Sequence, residues 1–188
     1  MRKVTAHLFS SVDGVVENPG TFQFGAFGAE EGAMMGAALA PVTDVILGRK
    51  IYQEWADYWP NNPGDGFDQF INPVPKHVAS RTLTGPLAWE NSTVIEGDLL
   101  DFVRGLKEGD GGDISVNGIS VIRQLLEAGL LDTLTLTIHP AAAGQGKRLF
   151  DGATEPFRLE LVDSQVTPVG NAILTYAKKD VRILGRDS

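Results

Sequence analysis

Apolar and polar positions alternate along the chain with two different periods. Period-two, β-branched runs bounded by turn residues lie at 3–9 (KVTAHLF), 43–48 (TDVILG), 75–80 (PKHVAS), 92–96 (STVIE), 113–118 (DISVNG) and 132–140 (DTLTLTIHP), and each predicts a strand. Helical spacing fills the intervals. The stretch at 30–40 (EEGAMMGAALA) stops before Pro41, and the stretch at 98–109 has Asp98 as an N-cap candidate with Leu99, Phe102, Val103 and Leu106 on one face. The stretch at 119–129 buries Ile122, Leu125 and Leu126 before Gly129, which predicts a C-cap, and a further helix is expected to begin near Lys50.

Strands and helices alternating at this spacing predict right-handed βαβ crossovers, a mainly parallel sheet, and ligands beyond the carboxyl ends of its strands. The tail differs. Residues 157–168 and 170–179 alternate with period two around Pro168 and Gly170, which predicts an antiparallel hairpin added to the sheet. The expected fold class is therefore α/β, with residues 1–188 forming one domain.

Composition narrows the function classes. With 24 Asp and Glu against 16 Lys and Arg, the net charge of −8 argues against a general nucleic-acid surface, because phosphate neutralisation needs clustered cations. The absence of cysteine excludes disulfides and thiolate chemistry and fits a reducing, cytoplasmic location. No run approaches the roughly 18 apolar residues of a membrane helix, and the start of the chain shows no apolar signal core. His7, His77 and His139 are scattered without ligand spacing, so no metal site is expected.

Three strand ends carry chemistry suited to phosphate. Gly48, Arg49 and Lys50 join a strand to a helix, where free backbone N–H groups and two cations can meet an anion; a plain tight turn with solvated cations is the competing reading. Ser80, Arg81 and Thr82 follow another strand and suit a ribose 2′-phosphate, or form a polar loop. Gly118, Ile119, Ser120 and Val121 make a third corner, whose glycine permits close approach to a pyrophosphate, although the complete dinucleotide fingerprint is absent. Asp13 and Gly14 end the first strand in turn-like sequence. Trp55, Tyr58 and Trp59 cluster at helical spacing as core residues or as the wall of a pocket for a flat heterocycle. Met34 and Met35 read as core filler, and the glycines of GQGK (144–147) as a loop return.

In order along nearly the whole chain, SSVDG, VILGRKIYQEW, KHVASRTL and ISVNGISVIRQLLEAGLLDTLTLTIHPAAAGQGKRLF resemble the dihydrofolate reductase-like family that includes the C-terminal reductase domain of RibD, the riboflavin biosynthesis protein. The resemblance implies a three-layer α/β/α domain that binds NADPH. It places Gly48, Arg49 and Lys50 near the cofactor phosphates, Ser80, Arg81 and Thr82 near the adenosine 2′-phosphate, and Gly118, Ile119, Ser120 and Val121 at the pyrophosphate. Hydride would pass to a C=N or C=O bond of a small pterin- or pyrimidine-like substrate walled by Trp55 and Trp59.

Departures from the family pattern bear on the substrate. The family's GR-x-T reads GRKI, so Ile51 replaces a hydroxyl, and NGI stands at 117–119 where the pyrimidine reductases have EGG. Their DDP-x-L-x-x-R run is absent, which argues against a phosphoribosylaminouracil substrate. By resemblance the first helix supplies a substrate-holding carboxylate, from Glu30 or Glu31; Glu31 and Asp13 are the expected catalytic acids. The alternative is a non-catalytic, nucleotide-binding or scaffold protein that retains the fold. A homodimer is expected by resemblance, with the C-terminal strand and helix 119–128 as its apolar edges.

Overall fold

The structure, a computed structural model, describes residues 1–64, 66–152, 156 and 158–178. Among the described residues eight strands form one sheet: β1 (Val4–Ser11), β2 (Val42–Gly48), β3 (Lys76–Ala79), β4 (Ser92–Val94), β5 (Asp113–Asn117), β6 (Thr133–His139), β7 (Leu159–Val166) and β8 (Ala172–Lys178). Their order across the sheet is β4-β3-β2-β5-β1-β6-β8-β7. Every pairing from β4 to β6 is parallel, whereas β8 runs antiparallel to both β6 and β7. The crossovers are α1 (Ala29–Leu39), α2 (Arg49–Tyr58) with α3 (Phe67–Ile71), α4 (Leu99–Glu108) and α5 (Ile119–Glu127). The α/β architecture and the antiparallel C-terminal hairpin thus agree with the sequence patterns. The hairpin enters with its second strand inward, so that β7 is the outer edge.

Alternation on the central strands feeds two hydrophobic layers. On β2, Ile46 joins Val116, Val121, Ile122 and Leu125 on the α4–α5 face, while its neighbours Val45 and Leu47 join Tyr52, Ile71, Val78 and Trp89 on the α2–α3 face. Helix ends follow local chemistry. The Asp98 carboxylate accepts the N–H groups of Leu100 and Asp101 at the start of α4. After α5, Gly129 takes φ 70°, and the amides of Gly129 and Leu130 donate back to the carbonyls of Leu126 and Leu125, which closes the helix as a Schellman motif.

Two expectations change. Met34 and Met35 belong to neither core layer; α1 is largely exposed, and Met35 lines the cleft described below. The apolar face of α5 is buried in the chain's own core through Val121, Ile122, Leu125 and Leu126, so it offers no apolar edge for a partner. The outer strand β7 does expose Leu161, Val162 and Val166.

A buried cation organises the second layer. Lys76 is 1% exposed, and its Nζ donates to the carbonyls of Ile71, Asn72 and Val74 at 2.8–2.9 Å while lying 4.5 Å from the centre of the Trp89 ring. It thereby satisfies the carbonyls that the short α3 leaves open. Burial lowers the Lys76 amine to about 8, against the opposing pull of Glu90. Between about 8 and the ordinary value of 10.5 the folded chain therefore holds fewer protons than the unfolded chain, and this residue's contribution to stability rises with pH across that window. Lys76→Met is expected to cost about 2–5 kcal/mol near neutral pH, since it strands buried carbonyls, and to remove the rise above pH 8 in urea denaturation measured from pH 7 to 10.5.

Candidate functional site

The carboxyl ends of β3, β2 and β5 open onto a single cleft of about 1360 Å³. Two strand-to-helix corners form its floor. At Gly48 and Gly118 the chain leaves β2 and β5 and enters α2 and α5, and among the described residues no side chain caps the first amides of either helix. The corners touch. A Cβ on Gly118 would lie 3.1 Å from the Gly48 nitrogen and 3.2 Å from its Cα, and Gly118 takes φ 115°, which side chains rarely adopt. A Cβ on Gly48 would meet Val121 Cγ2 at 3.4 Å. Two positive helix ends with open N–H groups are thereby set side by side, an arrangement that suits a diphosphate.

Around this floor the expected residues assemble. Gly48, Arg49, Lys50, Ser80, Arg81, Thr82, Gly118, Ile119, Ser120 and Val121 all line the cleft, as do Trp55 and Trp59. Arg49 donates to Thr82 Oγ1 at 3.1 Å and so ties the β2 corner to the loop after β3. Ser80 Oγ accepts the amides of Thr82 and Leu83, which shapes that loop. Arg81 is exposed and makes no ion pair among the described residues. Ile51 packs on the α2–α3 core layer and also lines the cleft, and having no hydroxyl it leaves the backbone N–H groups, with Arg49 and Lys50, to meet an anion at this corner. Trp55 and Trp59 meet edge to face, with ring centres 6.4 Å apart, and both pack on Phe67; Tyr58 lies outside the cleft.

The structure also contributes residues that strand and helix patterns did not single out. Glu17, from the loop after β1, pairs with Lys50 at 2.9 Å and Lys147 at 3.5 Å, which bridges three separated segments at the cleft. The Lys50 bond is the main reason that Glu17 is held below its ordinary value. His7 and Phe9 of β1, with Gln23, Phe27, Met35 and Leu39, also line the cleft. His7 donates to or accepts from Thr137 Oγ1 at 2.7 Å, and burial lowers it to about 4, so the imidazole is neutral at pH 7. The cleft is lined by six cations, Arg49, Lys50, Arg81, Arg123, Lys147 and Arg148, against four acids, Glu17, Glu54, Asp98 and Asp151. In a chain of net charge −8 that local excess marks a site for an anionic ligand.

Asp13 and Glu31, expected as catalytic acids, are not among the residues that line the cleft. Asp13 accepts the Ser11 hydroxyl and the amides of Ala143 and Gly144, and it faces Arg148. The Ser11 hydroxyl first, and then the Ala143 amide, lower its carboxyl to about 2. It therefore staples the loop after β1 to the GQGK loop, where Gly146 passes so close to Val15 that a Cβ would lie 2.6 Å away. Glu31 is 3% exposed and takes N–H groups from Gly28 at 2.8 Å and Asn171 at 2.7 Å. Burial alone would raise Glu31; bonds from Thr167, Asn171 and backbone amides outweigh it and hold the carboxyl below its ordinary value.

Comparison with known proteins adds an independent line. Residues 2–174 match the RibD C-terminal domain model. YyaP, an uncharacterised protein of Bacillus subtilis strain 168, is 28% identical over 144 residues, covering 73% of this chain and 75% of its own. A riboflavin biosynthesis protein of Shewanella sp. PV-4, so described provisionally, superposes with a TM-score of 0.71 at 20% identity, over 94% of this chain and 99% of that one. A pyrimidine reductase-like protein of Corynebacterium diphtheriae gives 0.68 at 16%, over 95% and 92%. The deaminase and 5-amino-6-(5-phosphoribosylamino)uracil reductase of Thermotoga maritima gives 0.64 at 12%, and this chain spans 57% of it.

Two measurements check the geometry. Gly118→Ala is expected to destabilise the fold by about 1–3 kcal/mol or more in chemical denaturation, since its φ and the Gly48 backbone both oppose a Cβ. For Asp13 the folded carboxyl, at about 2, lies below its ordinary 3.8, so its stabilisation is complete above pH 3.8 and is lost as pH falls toward 2. Asp13→Asn should flatten that part of the acid limb when stability is followed from pH 5 to 2.

Proposed function

Because the chain belongs to the RibD C-terminal domain family, whose relationships are of reductase type, we propose that it is an NADPH-dependent oxidoreductase acting on a small planar heterocycle of pterin or pyrimidine type, or a related C=N or C=O compound. The observation that carries this reading is the pair of uncapped, glycine-lined helix ends in backbone contact at Gly48 and Gly118, set in a cationic cleft. A nicotinamide cofactor fits that cradle, which side chains would fill, and it would supply a hydride from its C4.

The chain's own residues bind, orient and exclude water. Amides at the starts of α2 and α5 hold the pyrophosphate, Lys50 adds charge, and Arg49 and Arg81 with Ser80 and Thr82 take the adenosine 2′-phosphate end. His7, Phe9, Trp55, Trp59 and Met35 wall the remaining space against water and present flat faces to the substrate. We assign the proton that completes the reduction to water rather than to Asp13 or Glu31, which are engaged outside the cleft. That same observation favours the alternative reading, ligand binding without turnover. The exposed apolar edge of β7 supports a homodimer built on this strand.

Titration with NADPH, followed by nicotinamide fluorescence, is expected to saturate, and absence of binding by both NADPH and NADH would overturn the cofactor reading. Arg81→Ala should weaken NADPH by about tenfold or more and leave NADH within about twofold, as expected when one charge-assisted contact to the 2′-phosphate is lost. Oxidation of NADPH with any member of a panel of pterins, flavins, pyrimidines and quinones separates the reductase from the scaffold.

A further inference from the structure

Beneath the wall of the cleft lies a line of buried polar groups, Glu31, Asn171 and His139, that ends at Gln23. It starts at Glu31. An ionised carboxylate can only accept, and Asn171 Nδ2 donates to Glu31 Oε1 at 2.7 Å and to the Ala26 carbonyl at 2.8 Å, so the amide nitrogen of Asn171 is assigned by two acceptors. Asn171 Oδ1 then points elsewhere. It and His139 Nδ1 are both buried and neither makes a hydrogen bond among the described residues, while the Asn171 side chain is one of the groups that favour a proton on the ring. Asn171 Oδ1 can only accept, so a proton on His139 Nδ1 is the tautomer that answers both stranded atoms. Asn171 and His139 are both 0% exposed, and burial, opposed by Glu31 and Asn171, keeps the ring below its ordinary value and neutral. With Nδ1 protonated, Nε2 carries the lone pair.

Gln23 Nε2 lies 3.5 Å from His139 Nε2. The Gln23 amide must therefore turn its NH2 inward, toward His139. Its Oε1 has no partner among the described residues, and Gln23 lines the cleft beside Phe27 and Phe9, the latter packed on the His139 ring at 5.7 Å. The charge on Glu31, relayed through Asn171 and His139, thus decides which end of a glutamine faces the ligand.

We infer that Gln23 is a specificity-determining residue: its fixed carbonyl oxygen selects a planar ligand that presents an N–H or NH2 donor edge, such as a lactam N–H, and rejects the N-alkylated or purely accepting edge. His139, Asn171 and Glu31 are positioning residues for that contact. The inference rests on the planar-heterocycle reading above and extends it to the edge that is recognised. A site built around an unpaired acceptor discriminates by leaving that acceptor stranded when the wrong ligand enters.

Two probes of the same shape test it. Lumazine carries ring N–H donors and 1,3-dimethyllumazine carries none; both are titrated by fluorescence against the full chain, with and without NADP⁺. The wild type is expected to prefer lumazine by roughly tenfold or more, Gln23→Leu to reduce that preference below about threefold, and Gln23→Glu, which retains an acceptor, to preserve it. Equal binding of the probes, binding of neither, or a preference that survives Gln23→Leu overturns the inference. Nitrogen-15 NMR of the imidazoles needs no ligand: His139 is expected to carry its proton on Nδ1, and an Nε2–H tautomer also overturns it. If NADPH binds while the probes are not distinguished, this inference alone fails; if NADPH does not bind, the cofactor reading fails, and the probe titration of the free protein still decides this one.

Discussion

The arrangement of the cleft depends on one steric constraint, the backbone contact between Gly48 and Gly118. Neighbouring parallel strands put their helices' first turns side by side, and side chains at the two corners would force them apart. With hydrogen in place of Cβ, the corners close to 3.1–3.2 Å for an added atom, and the amides of α2 and α5 point into a common space. The core layers follow from the same placement. Val121, one turn into α5, reaches across to Gly48, while Ile51, at the same stage of α2, reaches Gly118 and enters the opposite layer.

Electrostatics divides the molecule in a corresponding way. The surplus of acids over bases keeps the surface negative, yet cations from four segments far apart in sequence converge on the cleft, and Glu17 balances two of them. Several acids are consumed by architecture. Asp13 joins two loops, Asp98 caps α4, and Glu31 anchors α1 to the turn between β7 and β8 through Asn171. The carboxylates that sequence position most readily casts as catalytic are those the fold uses as hydrogen-bond acceptors.

How much was legible from sequence varied with the range of the interaction that decides each feature. The strands were visible because alternation on β2 or β6 is a local pattern, and the ends of α4 and α5 because Asp98 and Gly129 act within one turn. The corners at residues 48–50, 80–82 and 118–121 could be found singly, since glycine and hydroxyl chemistry at a strand end is a local signal. Met34 and Met35 depart from the core position that helical spacing predicts, because that spacing says which face is apolar and not whether anything covers it. Lys147, Arg148 and Gln23 carry no local signal, because their partners come from the loop after β1 and from β6.

The sequence by itself determined the alternation of strand and helix, the parallel sheet with its C-terminal hairpin, and the glycine corners, because each is encoded in contacts between residues a few positions apart. Only the tertiary structure decided that the corners share one cleft, that Asp13 and Glu31 turn away from it, and that a buried line from Glu31 to Gln23 orients an amide at its wall. Those outcomes depend on which strands are neighbours and on which donor is left for each acceptor. They join residues up to 145 positions apart, as in the bond from Asn171 to the Ala26 carbonyl, and no local pattern specifies such a pair.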